Sequence, residues 1–292
     1  MIYSEGELYK LYLGDALEEM KQIDEESVDC IVTSPPYYRL RDYGIEGQIG
    51  LEKTVDEYIE KLANVFNEAK RVLKESGTMF INIGDKYDNK ELLMVPERLA
   101  LRLKGEGWIL RNKIIWYKPN ATPESAIDRF SQTYEFIFFF TKRKKYYFNL
   151  DKVRVPIKES SLLRRKSPIT KFRSFSGTKF PKNTKVGEAI ILANKEGIKD
   201  TKNPGDLWTI ATNKVSTQHL AYFPPKLCEM CIKAGCPEGG IVLDMFNGSG
   251  TTGVVAMGLG MRYIGIDINK TYLDETKERF RQELGFLLNQ NY

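Results

Sequence analysis

The chain has 292 residues, 42% hydrophobic and 12% aromatic, with a formal net charge of +5. That composition supports a substantial core and excludes wholesale disorder. No apolar run approaches the roughly eighteen residues of a membrane-spanning helix, and the opening MIYSEGELYKLYLGD has early acids and no apolar signal segment, so a cytoplasmic protein is expected.

Strands and helices alternate along the chain. Leu8–Leu13 reads as a short strand ending at Gly14-Asp15, and Val28–Val32 as an apolar strand ending in Thr33-Ser34-Pro35-Pro36-Tyr37. Thr54 with Glu57 forms a capping box that opens a helix. Its apolar face repeats at helical period through Tyr58, Leu62, Phe66 and Leu73, and Gly77 is expected to end it. Thr78–Ile83 returns as a strand. Pro96 suits a first helical turn, and strands follow at about 108–117 and 135–141. From about 155 to 204 the chain is basic, rich in Ser, Thr and Gly, and weakly periodic. Regular structure resumes at Pro224 with a helix, strand Ile241–Asp244, a Gly-rich loop, a helix, strand Arg262–Asp267 and a last helix to about Leu284. The alternation predicts an α/β fold with a mainly parallel sheet and helices on both faces.

Charge is unevenly spread. Lys142 to Lys185 contains fifteen Lys and Arg against two acids, Asp151 and Glu159. A basic segment in an otherwise acidic chain suits a polyanionic partner. Cys228, Cys231, Cys236 and the one histidine, His219, have the residue types of a zinc site. The two spaced cysteines fall in the apolar helical pattern PPKLCEMCIKAG, which favours core packing, so no metal is expected.

Two motifs carry chemistry. Asp244-Met245-Phe246-Asn247-Gly248-Ser249-Gly250-Thr251-Thr252 follows a strand and opens a helix, and a second strand about 20 residues on ends in Asp267. The glycines allow a tight turn and a close ligand, and a terminal carboxylate can accept two ribose hydroxyls. The third glycine of a dinucleotide fingerprint is displaced to Gly253, and no Gly-Lys-Ser/Thr occurs. An adenosine-containing ligand without a pyrophosphate is therefore favoured over NAD or ATP. The second motif is Ser34-Pro35-Pro36-Tyr37 at a strand end. Two prolines stiffen the chain and keep only acceptors, between a hydroxyl and an aromatic ring. These groups match a flat ring bearing an amino group.

Together these motifs resemble those of the amino-methylating DNA methyltransferases, which modify cytosine N4 or adenine N6. Their order, Ser-Pro-Pro-Tyr first and the Gly-rich loop last, is similar to the circularly permuted beta group, and the resemblance covers nearly the whole chain. Gly14-Asp15-Ala16-Leu17 resembles the element beside the cofactor adenine, and His219-Leu220-Ala221-Tyr222-Phe223-Pro224 the helix-start motif that flanks the cofactor. Segments 48–52, 77–85 and Trp116-Tyr117-Lys118-Pro119-Asn120 resemble later core motifs. Met245 departs from the proline usual after the aspartate. Only 25 residues follow Asp267, so the N-terminal strand is the natural replacement for a missing third nucleotide-binding strand.

The resemblance implies a Rossmann-like fold using S-adenosyl-L-methionine. It divides the chain into a catalytic half at 1–154, a target-recognition insertion at 155–215 and a cofactor-binding half at 216–292. Ser34, Pro35, Pro36 and Tyr37 are the expected catalytic residues, with Tyr37 stacking on a flipped base. Asp244, Phe246, Asn247, Gly248 and Gly250 are expected to hold the methionine part, and Thr251 and Thr252 to meet its carboxylate at the helix start. Asp267 is expected to hold the ribose, with Asp15, Ala16, His219 and Phe223 around the adenine. Lys158, Arg164, Arg165, Lys166, Lys171 and Arg173 are expected to contact double-stranded DNA. Ser34 favours cytosine N4, since the family's adenine enzymes more often carry an acid there. C5 methylation needs a nucleophilic cysteine, and no Pro-Cys pair occurs. The alternatives are adenine N6, an RNA methyltransferase, and a non-catalytic DNA binder. A cognate restriction endonuclease is a family-level expectation.

Overall fold

A computed structural model of the protein describes residues 1–157, 200–212 and 224–288, with side chains to 285. The chain divides into two compact units, residues 1–149 with 205–292, and residues 150–204. In chain order the elements are β1 (Ile2–Glu5), β2 (Tyr9–Leu13), α1 (Ala16–Met20), β3 (Val28–Thr33), α2 (Val55–Val72) and β4 (Leu73–Ile83). A hairpin of β5 (Tyr87–Asp88) and β6 (Glu91–Leu92) precedes α3 (Val95–Gly105), β7 (Ile109–Tyr117) and β8 (Tyr134–Thr141). In the second unit β9 (Val155–Pro156) pairs antiparallel with β10 (Thr201–Lys202). The first unit continues with β11 (Leu207–Thr209), α4 (Pro225–Gly235), β12 (Ile241–Asp244), α5 (Thr251–Gly258), β13 (Arg262–Asp267) and α6 (Lys270–Leu288).

Among the described residues nine strands form one sheet, in the order β1-β2-β13-β12-β3-β4-β8-β7-β11. The run from β2 to β4 is parallel, β8 is antiparallel to both its neighbours, and β11 lies parallel to β7. Alternate side chains enter opposite cores, as the pleat requires. Ile31, Phe138 and Phe140 join the core with α1, α2 and α3. Cys30, Val32, Ile137 and Phe139 join the core with α4, α5 and α6.

From β3 the chain crosses through α2 to β4 on one side. From β12 it crosses through α5 to β13 on the other. The boundary between β3 and β12 is therefore a topological switch point, where α/β sheets open a crevice at the strand carboxyl ends. The N-terminal strand fills the expected place: β2 pairs parallel with β13 from Tyr9–Tyr263 to Leu13–Asp267.

Local expectations held where sequence signals were strong. Thr54 and Glu57 exchange both capping-box bonds at the start of α2. Gly77 does not end that helix. Leu73 is already extended, so α2 passes straight into β4 and Gly77 lies within the strand. A Cβ there would lie 2.5 Å from Leu73 Cδ1, so close packing explains the glycine. The short elements β1, α1 and β11 carried no clear periodicity. β11 falls inside the 155–215 stretch read from sequence as an insertion, yet it edges the main sheet. Among the described residues no helix is long and apolar enough to cross a membrane.

Candidate active site

The carboxyl ends of β3 and β12 are joined by one buried carboxylate. Thr33 Oγ1 donates to Asp244 Oδ1 at 2.6 Å, and Thr252 Oγ1 donates to Oδ2 at 2.7 Å. The Phe246 amide donates to Oδ1 at 3.0 Å. Asp244 thus ties the strand before Ser34, the Gly-rich loop and the start of α5 together. Its carboxyl is pushed up to about 6 by burial.

The loop after β12 is held from α6. Gly248 and Gly250 have φ of +50° and +77°, a region open to glycine at little cost. Asn247 donates to the Gly248 carbonyl and to Thr276 Oγ1, and accepts from the Tyr263 hydroxyl. Arg279 donates to the Ser249 carbonyl and to Thr251 Oγ1, both at 2.9 Å. Asp267 accepts from the Gly248 amide at 2.7 Å and the Asn269 amide at 2.8 Å, and burial pushes it up to about 7. The Gly14 amide donates to the Asp267 carbonyl at 3.0 Å. That contact brings Asp15, whose carboxylate caps α1 through the amides of Leu17 and Glu18, beside the end of β13.

At the end of β3, the Pro36 carbonyl accepts from the Tyr58 hydroxyl at 2.8 Å. Among the described residues no hydrogen bond ends on the Pro35 carbonyl. Tyr37 is fixed by its hydroxyl, which donates to Glu135 Oε2 at 2.6 Å and accepts from Asn82 Nδ2 at 2.8 Å. Asn82 also donates to Glu135 Oε2, and Lys118 pairs with Oε1. Burial is the main reason the Tyr37 phenol lies well above its ordinary value, with Glu135 adding to it and the Ser34 hydroxyl, hydrogen-bonded to it, opposing.

Many of these groups line one cavity of about 840 Å³. Ser34, Pro35, Pro36 and Tyr37 line one part of it. Asp15, Ala16 and Asp267 line another, with Asp244, Phe246, Asn247, Gly248, Thr251 and Thr252 between them. Gly250 does not face the cavity. It sits against Thr276, where it caps α5. His219 and Phe223 lie outside the described residues, as do Lys158, Arg164, Arg165, Lys166, Lys171 and Arg173. The four cysteines are buried in the core, where burial raises the thiols of Cys30, Cys228 and Cys231.

The sequence alone assigned no role to Thr33 and Asn82, which lie in its quoted motifs, or to Glu135, Thr276 and Arg279. For Glu135 a signal was present: one acid opens the apolar strand Phe136–Thr141. The contacts of Thr276 and Arg279 with the loop depend on how α6 folds back, which no local pattern encodes.

Comparison with known proteins decides the family. A family model described as DNA methylase, covering N6 and N4 methyltransferases, matches residues 28–278. The chain belongs to this family. The type II methyltransferase M.SmaI of Serratia marcescens is 36% identical to this methyltransferase, over 92% of this chain and 90% of that protein. The solved PvuII DNA methyltransferase (cytosine-N4-specific) superposes with a TM-score of 0.69 at 21% identity, covering 98% and 89% of the two chains. TTHA0409 from Thermus thermophilus, solved with S-adenosyl-L-methionine, superposes with a TM-score of 0.60 at 24% identity, covering 94% and 93%. The methyltransferase is thus a DNA methylase of the N6/N4 type.

Proposed function

We propose that this methyltransferase modifies the exocyclic N4 amino group of cytosine in duplex DNA. The observation that carries the reading is Ser34 beside the Pro35 carbonyl at the end of β3, facing the same cavity as the Gly-rich loop. A hydroxyl stands where the family's adenine enzymes more often have an acid.

The residues present fit the cofactor. The cavity has the size of a small-molecule site, and a Cβ on Gly248 would meet nothing within 4 Å, so backbone and ligand can approach closely there. The amides opening α5 at Thr251 and Thr252 suit a carboxylate. Asp267 offers carboxylate oxygens to ribose hydroxyls, Asp15 and Ala16 border the adenine, and Phe246 and Asn247 the methionine part. His219 and Phe223 complete the adenine side by family resemblance. Asp244 acts through the loop it holds. When bound, the cofactor supplies an electrophilic methyl group on a sulfonium.

The protein's own contribution is positioning and acceptance. An amino nitrogen conjugated with a pyrimidine ring is a poor nucleophile. The Pro35 carbonyl and Ser34 hydroxyl accept its hydrogens and favour a tetrahedral nitrogen with an exposed lone pair. Tyr37 stacks on the base once it has left the duplex. Lys158, Arg164, Arg165, Lys166, Lys171 and Arg173 contact the DNA backbone, with 155–215 as the target-recognition stretch.

Adenine N6 is the second reading, since the matching family model spans both N6 and N4 enzymes. The test is methyl transfer from labelled cofactor to mixed DNA, followed by nucleoside mass spectrometry. N4-methylcytosine that disappears in S34A is expected; N6-methyladenine would overturn the choice of base.

A further inference from the structure

Residues 118–133 join β7 to β8 as a loop with a fixed stem. The Lys118 amide donates to the Thr133 carbonyl at 2.8 Å, and the Gln132 amide to Glu124 Oε1 at 3.1 Å. Asn120, Glu124 and Gln132 in this stem form part of the cavity wall.

The tip beyond the stem is braced by the β5–β6 hairpin. That hairpin turns through Asn89 and Lys90, both with positive φ, as a two-residue turn demands. From it, the Tyr87 ring stacks under the Arg129 guanidinium at 3.8 Å, and Lys90 donates to Asp128 at 2.8 Å. Arg129 also pairs with Glu124. Asp128 and Arg129 are thereby used to hold the tip.

Its two large apolar side chains are treated differently. Ile127 is 98% exposed and Phe130 is 96% exposed, the highest values among the large hydrophobic residues described. A lone exposed apolar residue needs no explanation. Two on one braced tip, held away from any core beside a cavity wall, form a surface shaped for a partner.

We propose that Ile127 and Phe130 enter the base stack of duplex DNA next to the target nucleotide as that nucleotide moves into the cavity. The inference rests on the reading that a base leaves the duplex, and is independent of which base it is. An extruded base leaves a gap bounded by apolar ring faces. A flat phenyl and a branched aliphatic chain are the groups that proteins insert at opened base steps. The gap is costly with a paired target and less so when the target is already mispaired.

The experiment compares the double variant I127A/F130A with the unaltered enzyme on two duplexes. One carries the paired target, and in the other the target base faces an abasic site. Methyl transfer is scored as total label, so cytosine and adenine products count alike. The expected result is a fall in kcat/KM of about tenfold or more on the paired duplex and under about threefold on the abasic one, because the second has largely met the opening cost. Cofactor affinity should be unchanged, and F130W should show fluorescence quenching on duplex binding. Equal losses on both duplexes, or no loss on either, would overturn the proposal. So would a change in sedimentation of the free protein, which would make the tip a contact between copies of this chain. If the unaltered enzyme labels RNA and neither duplex, the DNA reading has failed rather than the wedge.

Discussion

The Tyr37 hydroxyl donates to Glu135 Oε2 at 2.6 Å, linking two residues 98 positions apart in the chain. The ring plane of Tyr37 is therefore set by the start of β8, with Asn82 and Lys118 holding the carboxylate. Gly84 completes the fit, since a Cβ there would lie 2.8 Å from Tyr37 Cε2. Y37F keeps the ring and loses the tether. It should lower kcat by about tenfold to a hundredfold, as expected for one lost buried hydrogen bond of about 1–3 kcal/mol. Cofactor affinity should stay constant. E135Q should resemble Y37F, and the double variant should be little worse than either. Steady-state kinetics with calorimetry checks this, and an undiminished kcat in Y37F would remove the tether from the mechanism.

With Asp267 holding the ribose as proposed, cofactor binding should depend on pH. Its carboxyl is pushed up to about 7 by burial, so below that pH it is largely protonated and accepts ribose hydroxyls less well. Affinity should rise as pH increases through 7 and flatten above it, by at most about tenfold per pH unit. The unliganded protein should show the opposite trend from this group. A folded carboxyl that binds its proton more tightly than the unfolded one contributes stability at low pH, and loses it as pH rises towards 7. Calorimetry between pH 6 and 8 reads the first effect, and D267N should bind weakly and lose the part of the pH dependence centred near 7.

Thr33 has its structural role through Asp244. T33V preserves shape and removes one of the two donors to Asp244 Oδ1, leaving the Phe246 amide. A loss of about 1–3 kcal/mol of stability is expected from that lost bond. Urea unfolding measures it, and an unchanged midpoint with unchanged slope would show that Phe246 and Thr252 suffice.

The two loop glycines should differ. G250A meets both a φ of +77° and Thr276 Cγ2 at 2.5 Å, whereas G248A has a φ of +50° and open space. G250A should cost about 1–3 kcal/mol and displace the loop, while G248A should cost only about 1–2 kcal/mol from its backbone. Thermal unfolding ranks them, and G248A, whose Cβ would enter the space kept for the ligand, should show the larger loss of cofactor affinity.

Backbone contacts by the basic segment should appear in the salt dependence of DNA binding. Replacing Arg164, Arg165 and Lys166 with Ala should reduce the slope of log K against log salt by about 2 to 3. Titrations at several salt concentrations check it, and an unchanged slope would place those side chains away from phosphate.

Much of this protein was readable along the chain, because its strongest signals are local. The Thr54–Glu57 box, the helical face of α2, the strand-loop-helix around Gly248 and the prolines after Thr33 each act within a few residues. The strand ending at Gly14-Asp15 was equally readable, and it lies beside β13. Tertiary structure decided what distant residues share. Sequence periodicity says which face of a strand is apolar, and leaves open which strand lies beside it. Only the sheet order brings Asp244 against Thr33, and only the antiparallel pairing of β4 with β8 brings Asn82 and Glu135 to Tyr37. Likewise α6 had to fold back before Thr276 and Arg279 could brace the Gly-rich loop. Such bonds join residues whose separation along the chain is set by packing, so the residues that hold the site were legible only once the sheet had formed.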